Sequence, residues 1–252
     1  MTFPMARIPS PSVKVLANAA WFCRVLIDAL FPRVCTICQR PMPVNSFYNA
    51  ICDACSKDIC WVDSRTVDAL FERYKREAME RGERVFFNNG VTCWEHSGVA
   101  RMLILALKYK CASFLIKDIV AMIKKNAGHL LNFVANSLLI PVPMHYFKRI
   151  CRDYSQTELL ADALSKCTNA RVAKKLLTCK SHTAQANLTT AERLLNVWNV
   201  FNCNESGLSK ATRIVIVDDV ITTGATLFAC CAAMHRCGFR DINILTLSYG
   251  GS

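Results

Sequence analysis

The stretch Arg213-Ile-Val-Ile-Val-Asp-Asp-Val-Ile-Thr-Thr-Gly-Ala-Thr226 constrains this chain more than any other. It opens on four β-branched residues, Ile214 to Val217. A short unbroken apolar run of that kind reads as a strand buried on both faces, which occurs in parallel sheets. Two carboxylates follow, Asp218 and Asp219, then a loop of small and hydroxylated residues, then a helical pattern from about Leu227 to Arg236. The order strand, acidic pair, loop, helix has a chemical use. Gly224 lets the backbone turn tightly and approach a ligand. The first N–H groups of a helix are unpaired and lie at the positive end of its dipole. With the hydroxyls of Thr222, Thr223 and Thr226 they make a cradle for a phosphate monoester. The aspartates, one step earlier, are placed to accept hydrogen bonds from vicinal hydroxyls. A phosphate cradle beside a diol acceptor describes a ribose 5-phosphate site.

Asp218-Asp-Val-Ile-Thr-Thr-Gly-Ala-Thr226 resembles the phosphoribosyl pyrophosphate loop of type I phosphoribosyltransferases. More of the chain, roughly Pro32 to Leu247, resembles the ComF family, which joins a zinc finger to such a domain. The resemblance implies that Asp218 and Asp219 meet the ribose hydroxyls. It implies that Thr222, Thr223, Gly224, Ala225 and Thr226 hold the 5-phosphate, with Mg2+ accompanying the pyrophosphate.

Two cysteine pairs, Cys35-Thr-Ile-Cys38 and Cys52-Asp-Ala-Cys55, are separated by thirteen residues. Each tight turn brings two thiolates to one side, and four close a tetrahedron around Zn2+. Pro41, Pro43 and Asn45 between the pairs read as loop. A segment this small has no core of its own, and a structural metal replaces one. ComF relatives often carry further cysteine pairs, which this chain lacks, so a single site is expected.

Strand-like and helix-like segments alternate from 91 to 248: Val91–Trp94, Val99–Leu107, Leu115–Leu131, Leu138–Ile140, Tyr154–Lys166, Arg171–Leu177 and Asp241–Ser248. That alternation predicts an open, mostly parallel α/β sheet flanked by helices. The predicted organisation is an amphipathic N-terminal helix within 1–31, a zinc-ribbon-like module over 32–62, and a type I phosphoribosyltransferase-like domain over 91–252. Residues 62–90 are highly charged and read as an exposed helix followed by a connection, with no role assigned.

Other candidate ligand contacts are basic. Lys108 sits at the end of a helical run, where a cation also serves as a dipole partner. In the ComF resemblance the Leu107-Lys-Tyr109 tripeptide turns it toward the site. The Pro141-Val-Pro143 turn ends a strand, where α/β proteins place ligands. Lys148, Arg149 and Arg152 come next, either as a pyrophosphate-facing patch or as a solvated basic face. The ComF signature Arg-Gly-Phe-Asn-Gln here reads Arg152-Asp-Tyr-Ser-Gln156, keeping its first and last residues. Gln185, Leu188, Arg193, Asn196 and Phe201 fall at the ComF spacing between its last two core strands, in a region that reads as a lid or as an ordinary surface connection.

The formal net charge is +12, which favours polyanionic partners without choosing among them. Fifteen cysteines spread through apolar segments suit a reducing compartment, and the cytoplasm is expected. Lys14, Arg24 and Asp28 interrupt the apolar run Val13–Phe31, so no transmembrane segment is expected there. Two functions remain open. One is transfer of a phosphoribosyl group to a nitrogen acceptor. The other, which the ComF resemblance implies, is a non-catalytic single-stranded DNA-binding factor working with DNA-uptake or recombination proteins in transformation.

Overall fold

The computed structural model describes residues 32–43, 45–109, 112–144, 154–179, 200–204 and 207–250. Five strands form one parallel sheet: β1 (Gly90–Glu95), β2 (Leu138–Pro141), β3 (Arg171–Val172), β6 (Ile214–Ile221) and β7 (Ile242–Tyr249). Their order across the sheet is β1-β7-β6-β2-β3, and every pairing within it is parallel. Two short strands, β4 (Leu177–Cys179) and β5 (Phe201–Cys203), pair antiparallel as a separate ribbon.

The central strands bury both faces, as their unbroken apolar runs require. Alternate residues go to opposite sides. Val215, Val217, Leu139, Leu245 and Leu247 join one apolar cluster, whereas Ile214, Ile216, Leu138, Ile140, Ile242 and Ile244 join the other. The first cluster is roofed by α3 (Gly98–Tyr109), α4 (Leu115–Asn126), α5 (Gly128–Val134) and α6 (Gln156–Ser165). The second is covered by α2 (Ser64–Glu80), α7 (Ala225–Arg236) and the β4–β5 ribbon. Among the described residues no helix is long and apolar enough to cross a membrane.

The cysteine-bearing segment, which ends on the short α1 (Asp53–Lys57), shares the first cluster through Cys35, Met42, Tyr48, Ile51 and Ile59. A buried carboxylate fastens it. Asp118 on α4 is 1% exposed and accepts from the backbone N–H groups of Asn49 at 3.0 Å and Ala50 at 2.7 Å. It also accepts from the Asn49 side-chain amide at 3.2 Å.

Several expectations change. The highly charged stretch after residue 62 is amphipathic: α2 buries Val67, Leu70, Phe71, Tyr74 and Ala78, and it packs against β1. Its density of charge hid one apolar stripe. The helix expected over Leu115–Leu131 is two helices, because Ala127 leaves helical geometry (φ −143°, ψ 45°) before Gly128 restarts the chain. Arg171–Leu177 is not one strand. β3 ends at Val172, and Leu177 begins β4 in the other sheet. β6 runs four residues beyond Val217, so both aspartates are strand residues. The N-terminal stripe within 1–31, the basic run at 148–152 and the 183–196 region lie outside the described residues.

Candidate functional site

β6 is central, and its carboxyl end carries the acidic pair. The Asp219 backbone N–H donates to Asp218 Oδ1 at 2.8 Å. Successive strand residues point to opposite faces. Asp219 is therefore on the side roofed by α3, and the Lys108 ammonium at the end of α3 lies 2.9 Å from Asp219 Oδ1. Both side chains are largely buried, 23% and 12% exposed, so this pair is better shielded than a surface ion pair. Two side chains hold the helix end that presents Lys108. The Tyr154 hydroxyl donates to the Leu107 carbonyl at 2.7 Å, and the Gln156 amide at 3.4 Å.

The loop after β6 turns through Gly224, the N-cap of α7, at φ +78°. That left-handed conformation suits glycine. A Cβ at Gly224 would meet the Phe228 ring at 2.5 Å. Thr222, Thr223, Gly224, Ala225 and Thr226 together line a small concavity of about 50 Å³, with the open N–H end of α7 beneath it. Asp218, Val220 and Thr226 also border a larger cavity of about 480 Å³. Its polar side includes Lys108, Gln156, Thr157 and Asp219, and its apolar side Val142, Pro143, Met144, Val200 and Phe201. The β4–β5 ribbon supplies Cys179 and Phe201 to this wall. The arrangement offers hydrogen-bond donors for an anion, two carboxylates for hydroxyls or a cation, and an apolar wall.

The structure thus brings Asp218, Asp219, Thr222, Thr223, Gly224, Ala225, Thr226 and Lys108 together. Arg149 and Arg152 lie outside the described residues. Sequence reasoning missed His96, at the carboxyl end of β1. Its Nδ1 lies 2.8 Å from Ser248 Oγ, and its backbone N–H donates to the Tyr249 carbonyl. Burial lowers its pKa, the Lys108 and Arg101 charges lower it further, and Asp219 opposes them. A lone histidine just past a strand, at the same sheet edge as the loop, was the available signal. Cys179 and Thr157 carried no signal, because only the folded chain brings them to the cavity.

The cysteine cluster passes a geometric test for a metal. The four Sγ atoms of Cys35, Cys38, Cys52 and Cys55 all lie within 4.8 Å of one another. Cys38 Sγ and Cys52 Sγ are 3.7 Å apart, against about 3.8 Å along the edge of a tetrahedral Zn–S site with bonds near 2.3 Å. Burial opposes a Cys35 thiolate. Hydrogen bonds from the backbone of Cys38, Cys52 and Ile37 outweigh it and bring the thiol down to about 7. Burial pushes the Cys55 thiol up. A cluster of four thiols with one already inclined to ionise suits a structural ion such as Zn2+.

Over 112 residues the chain is 31% identical to competence protein F of Haemophilus influenzae, covering 44% of this chain and 49% of that protein. The chain therefore spans about half the length of this curated relative. Among solved structures it is similar to a hypoxanthine phosphoribosyltransferase from Staphylococcus aureus, with 14% identity, coverage of 53% of this chain and 62% of that one, and a TM-score of 0.30. The family model described as phosphoribosyl transferase domain matches residues 114–252. That match takes in more than half of the chain, including the β6–loop–α7 unit, and on that ground the chain belongs to the phosphoribosyl transferase domain family.

Proposed function

We propose that the chain binds phosphoribosyl pyrophosphate at the carboxyl edge of β6 and transfers its 5-phosphoribosyl group to a nitrogen acceptor. One observation carries the reading: the Asp218–Asp219 pair, the Gly224 turn and the start of α7 border adjoining cavities of about 50 and 480 Å³. The smaller suits a phosphate group on backbone N–H and threonine hydroxyl donors. The larger has the size and mixed lining of a small-molecule site. Asp218 and Asp219 take the ribose hydroxyls. Lys108, with Arg149 and Arg152, meets the pyrophosphate. The wall of Pro143, Met144, Val200 and Phe201 suits a planar heterocyclic acceptor.

In the transfer, the bond from the ribosyl anomeric carbon to the pyrophosphate oxygen breaks, and its electron pair leaves with pyrophosphate. The acceptor nitrogen lone pair forms the new bond, and the nitrogen gives up its proton to solvent. Charge grows on the leaving group, where a fixed cation lowers the barrier. Lys108 supplies that cation by exchanging its hydrogen bond from Asp219 to pyrophosphate. Mg2+ bound with the pyrophosphate would add further charge neutralisation, and Asp218 and Asp219 are the carboxylates at hand for it.

Around this site we assign an amphipathic helix within 1–31, a zinc module over 32–62 and the transferase domain over 91–252, in a cytoplasmic protein. Titration calorimetry with phosphoribosyl pyrophosphate and Mg2+ tests the reading, followed by an acceptor screen for pyrophosphate release. Saturable heat supports it, and none at millimolar ligand removes it. The name of the Haemophilus relative and the +12 charge favour a second reading, a single-stranded DNA-binding role in DNA uptake. That role predicts retention of single strands at low salt, with affinity falling steeply as salt rises.

A further inference from the structure

We infer that an aromatic column of Phe228, Phe87 and Phe71 positions the phosphate loop, so that part of the support for the loop comes from outside the segment that matches the family. The inference rests on the proposed function of the loop only for its ligand-binding consequence.

Phe228 stands one helical turn after Gly224. Side chains in a helix lean back toward its N-terminus, so a residue covers the turn before its own. The Phe228 ring accordingly lies against Gly224. A Cβ built there would meet its Cζ at 2.5 Å and its two Cε atoms at 2.8 and 3.0 Å. Phe87 stacks on Phe228, with centroids 5.6 Å apart and planes 15° apart. Phe71 of α2 meets Phe87 edge-on, at 6.0 Å and 75°. Beyond it lies Gly90 of β1, where a Cβ would meet Phe71 Cε1 at 2.2 Å. All three rings are buried, and the Lys75 ammonium lies 5.3 Å from the Phe87 centroid.

Gly224 has no side chain with which to anchor itself, and glycine explores more backbone conformations than any other residue. Its φ of +78° sets the direction of the N–H groups at the start of α7. The ring beneath limits the conformations that the turn can reach. Phe228 lies within the matched segment, but Phe87 and Phe71 precede its first residue, 114. The loop motif is therefore not self-sufficient in this chain. The α2 segment, which carried no functional signal in sequence, completes the support.

The test uses the full chain carrying Phe87→Leu, with Phe239→Leu as a control. Phe239 is 1% exposed and belongs to the same apolar cluster, but its ring has Lys210 as a neighbour. The first readout needs no ligand: hydrogen exchange at the amides of 222–226. The second is the calorimetric Kd for phosphoribosyl pyrophosphate with Mg2+. A lost aromatic pair predicts exchange about fivefold faster and a Kd about fivefold higher in Phe87→Leu. The control should lower the unfolding midpoint and leave both readouts within about twofold of wild type. If Phe87→Leu does not fold, Phe87→Met, whose unbranched and flexible side chain adapts better to the space the ring leaves, takes its place. Wild-type exchange at 222–226 in a folded Phe87 variant overturns the inference, as does an equal change in the control. If the wild-type protein ignores phosphoribosyl pyrophosphate, the functional reading falls and the exchange data alone decide the column.

Discussion

The cysteine module and the phosphate loop are both too short to hold their own shape, and they are held by opposite means. Beyond the apolar residues it lends to the first cluster, the module is stapled through polar groups. Four thiols lie at metal-binding distance, and Asp118 takes two of its backbone N–H groups and one side-chain amide. The loop is propped through apolar ones. A buried parallel strand feeds it, and Phe228 fills the space beside its only glycine. A staple fails abruptly when one member is lost, because its partners are left buried and unsatisfied. A prop fails by degrees, because packed rings relax and the loop widens its range. The difference fits what each segment does. The module is architecture, and on the proposed reading the loop must let a ligand enter and leave.

The sharpest break in the comparison is Cys55→Ser or Cys38→Ser. Structural zinc sites contribute apparent free energies of about 10–16 kcal/mol. Metal analysis should find about one Zn2+ per wild-type chain and none in the variant, with loss of order over 32–62. Unchanged stability without metal would remove the staple from the account. Next comes Gly224→Val, expected to cost about 4 kcal/mol by combining a β-branched residue at positive φ with overpacking against Phe228. Thermal unfolding should show the loss, and calorimetry should show no binding of phosphoribosyl pyrophosphate. Asp118→Ala is expected to cost about 3 kcal/mol, since it orphans two backbone donors and a side-chain amide. It should leave the zinc content at one, which separates the carboxylate pin from the metal. A smaller effect is expected from Asp218→Asn with Asp219→Asn, which should raise the Kd for phosphoribosyl pyrophosphate about tenfold and lower stability by about 1–2 kcal/mol, because Lys108 loses the partner of a shielded pair.

The smallest expected effect is one of pH. His96 has its pKa lowered in the folded chain, by burial first and then by Lys108 and Arg101. The unfolded chain binds that proton more readily. Stability should therefore fall as pH drops below about 6.5, and level off once the folded-state pKa is passed. His96→Gln should flatten that part of the profile, measured by denaturant midpoints at several pH values. Burial and the Arg240 charge lower His235 too, so the residual slope in the variant reports that second histidine.

Much of this arrangement was legible in the residues. Ile214–Val217 announced a doubly buried strand, and the small residues after Asp219 announced a turn into a helix. The two Cys-x-x-Cys pairs announced a cluster of four thiols at metal-binding distance. Each of these signals is local, set by neighbours within one turn or one strand. What escaped was set by distant partners. The acidic and basic residues of α2 concealed Phe71 and Tyr74, whose use depends on β1 lying beneath them. Leu177 looked continuous with Arg171, because nothing nearby says that the chain changes sheets after Val172. Cys179 and Thr157 reach the site by tertiary approach, which no spacing rule encodes.

The Lys108–Asp219 ion pair has a consequence for the order in which ligands arrive. With Lys108 paired to Asp219, one of the two carboxylates already has its charge offset. A lone divalent cation would have to displace an ammonium held at 2.9 Å and largely shielded from water, so the pocket is a poor trap for free metal. On the proposed reading an incoming pyrophosphate changes the balance, because its negative charge draws Lys108 away and leaves Asp219 to a cation. On the proposed reading the lysine acts as a latch that the substrate opens for its own metal. The carboxylate pair is unmasked only when the molecule that needs it has come in.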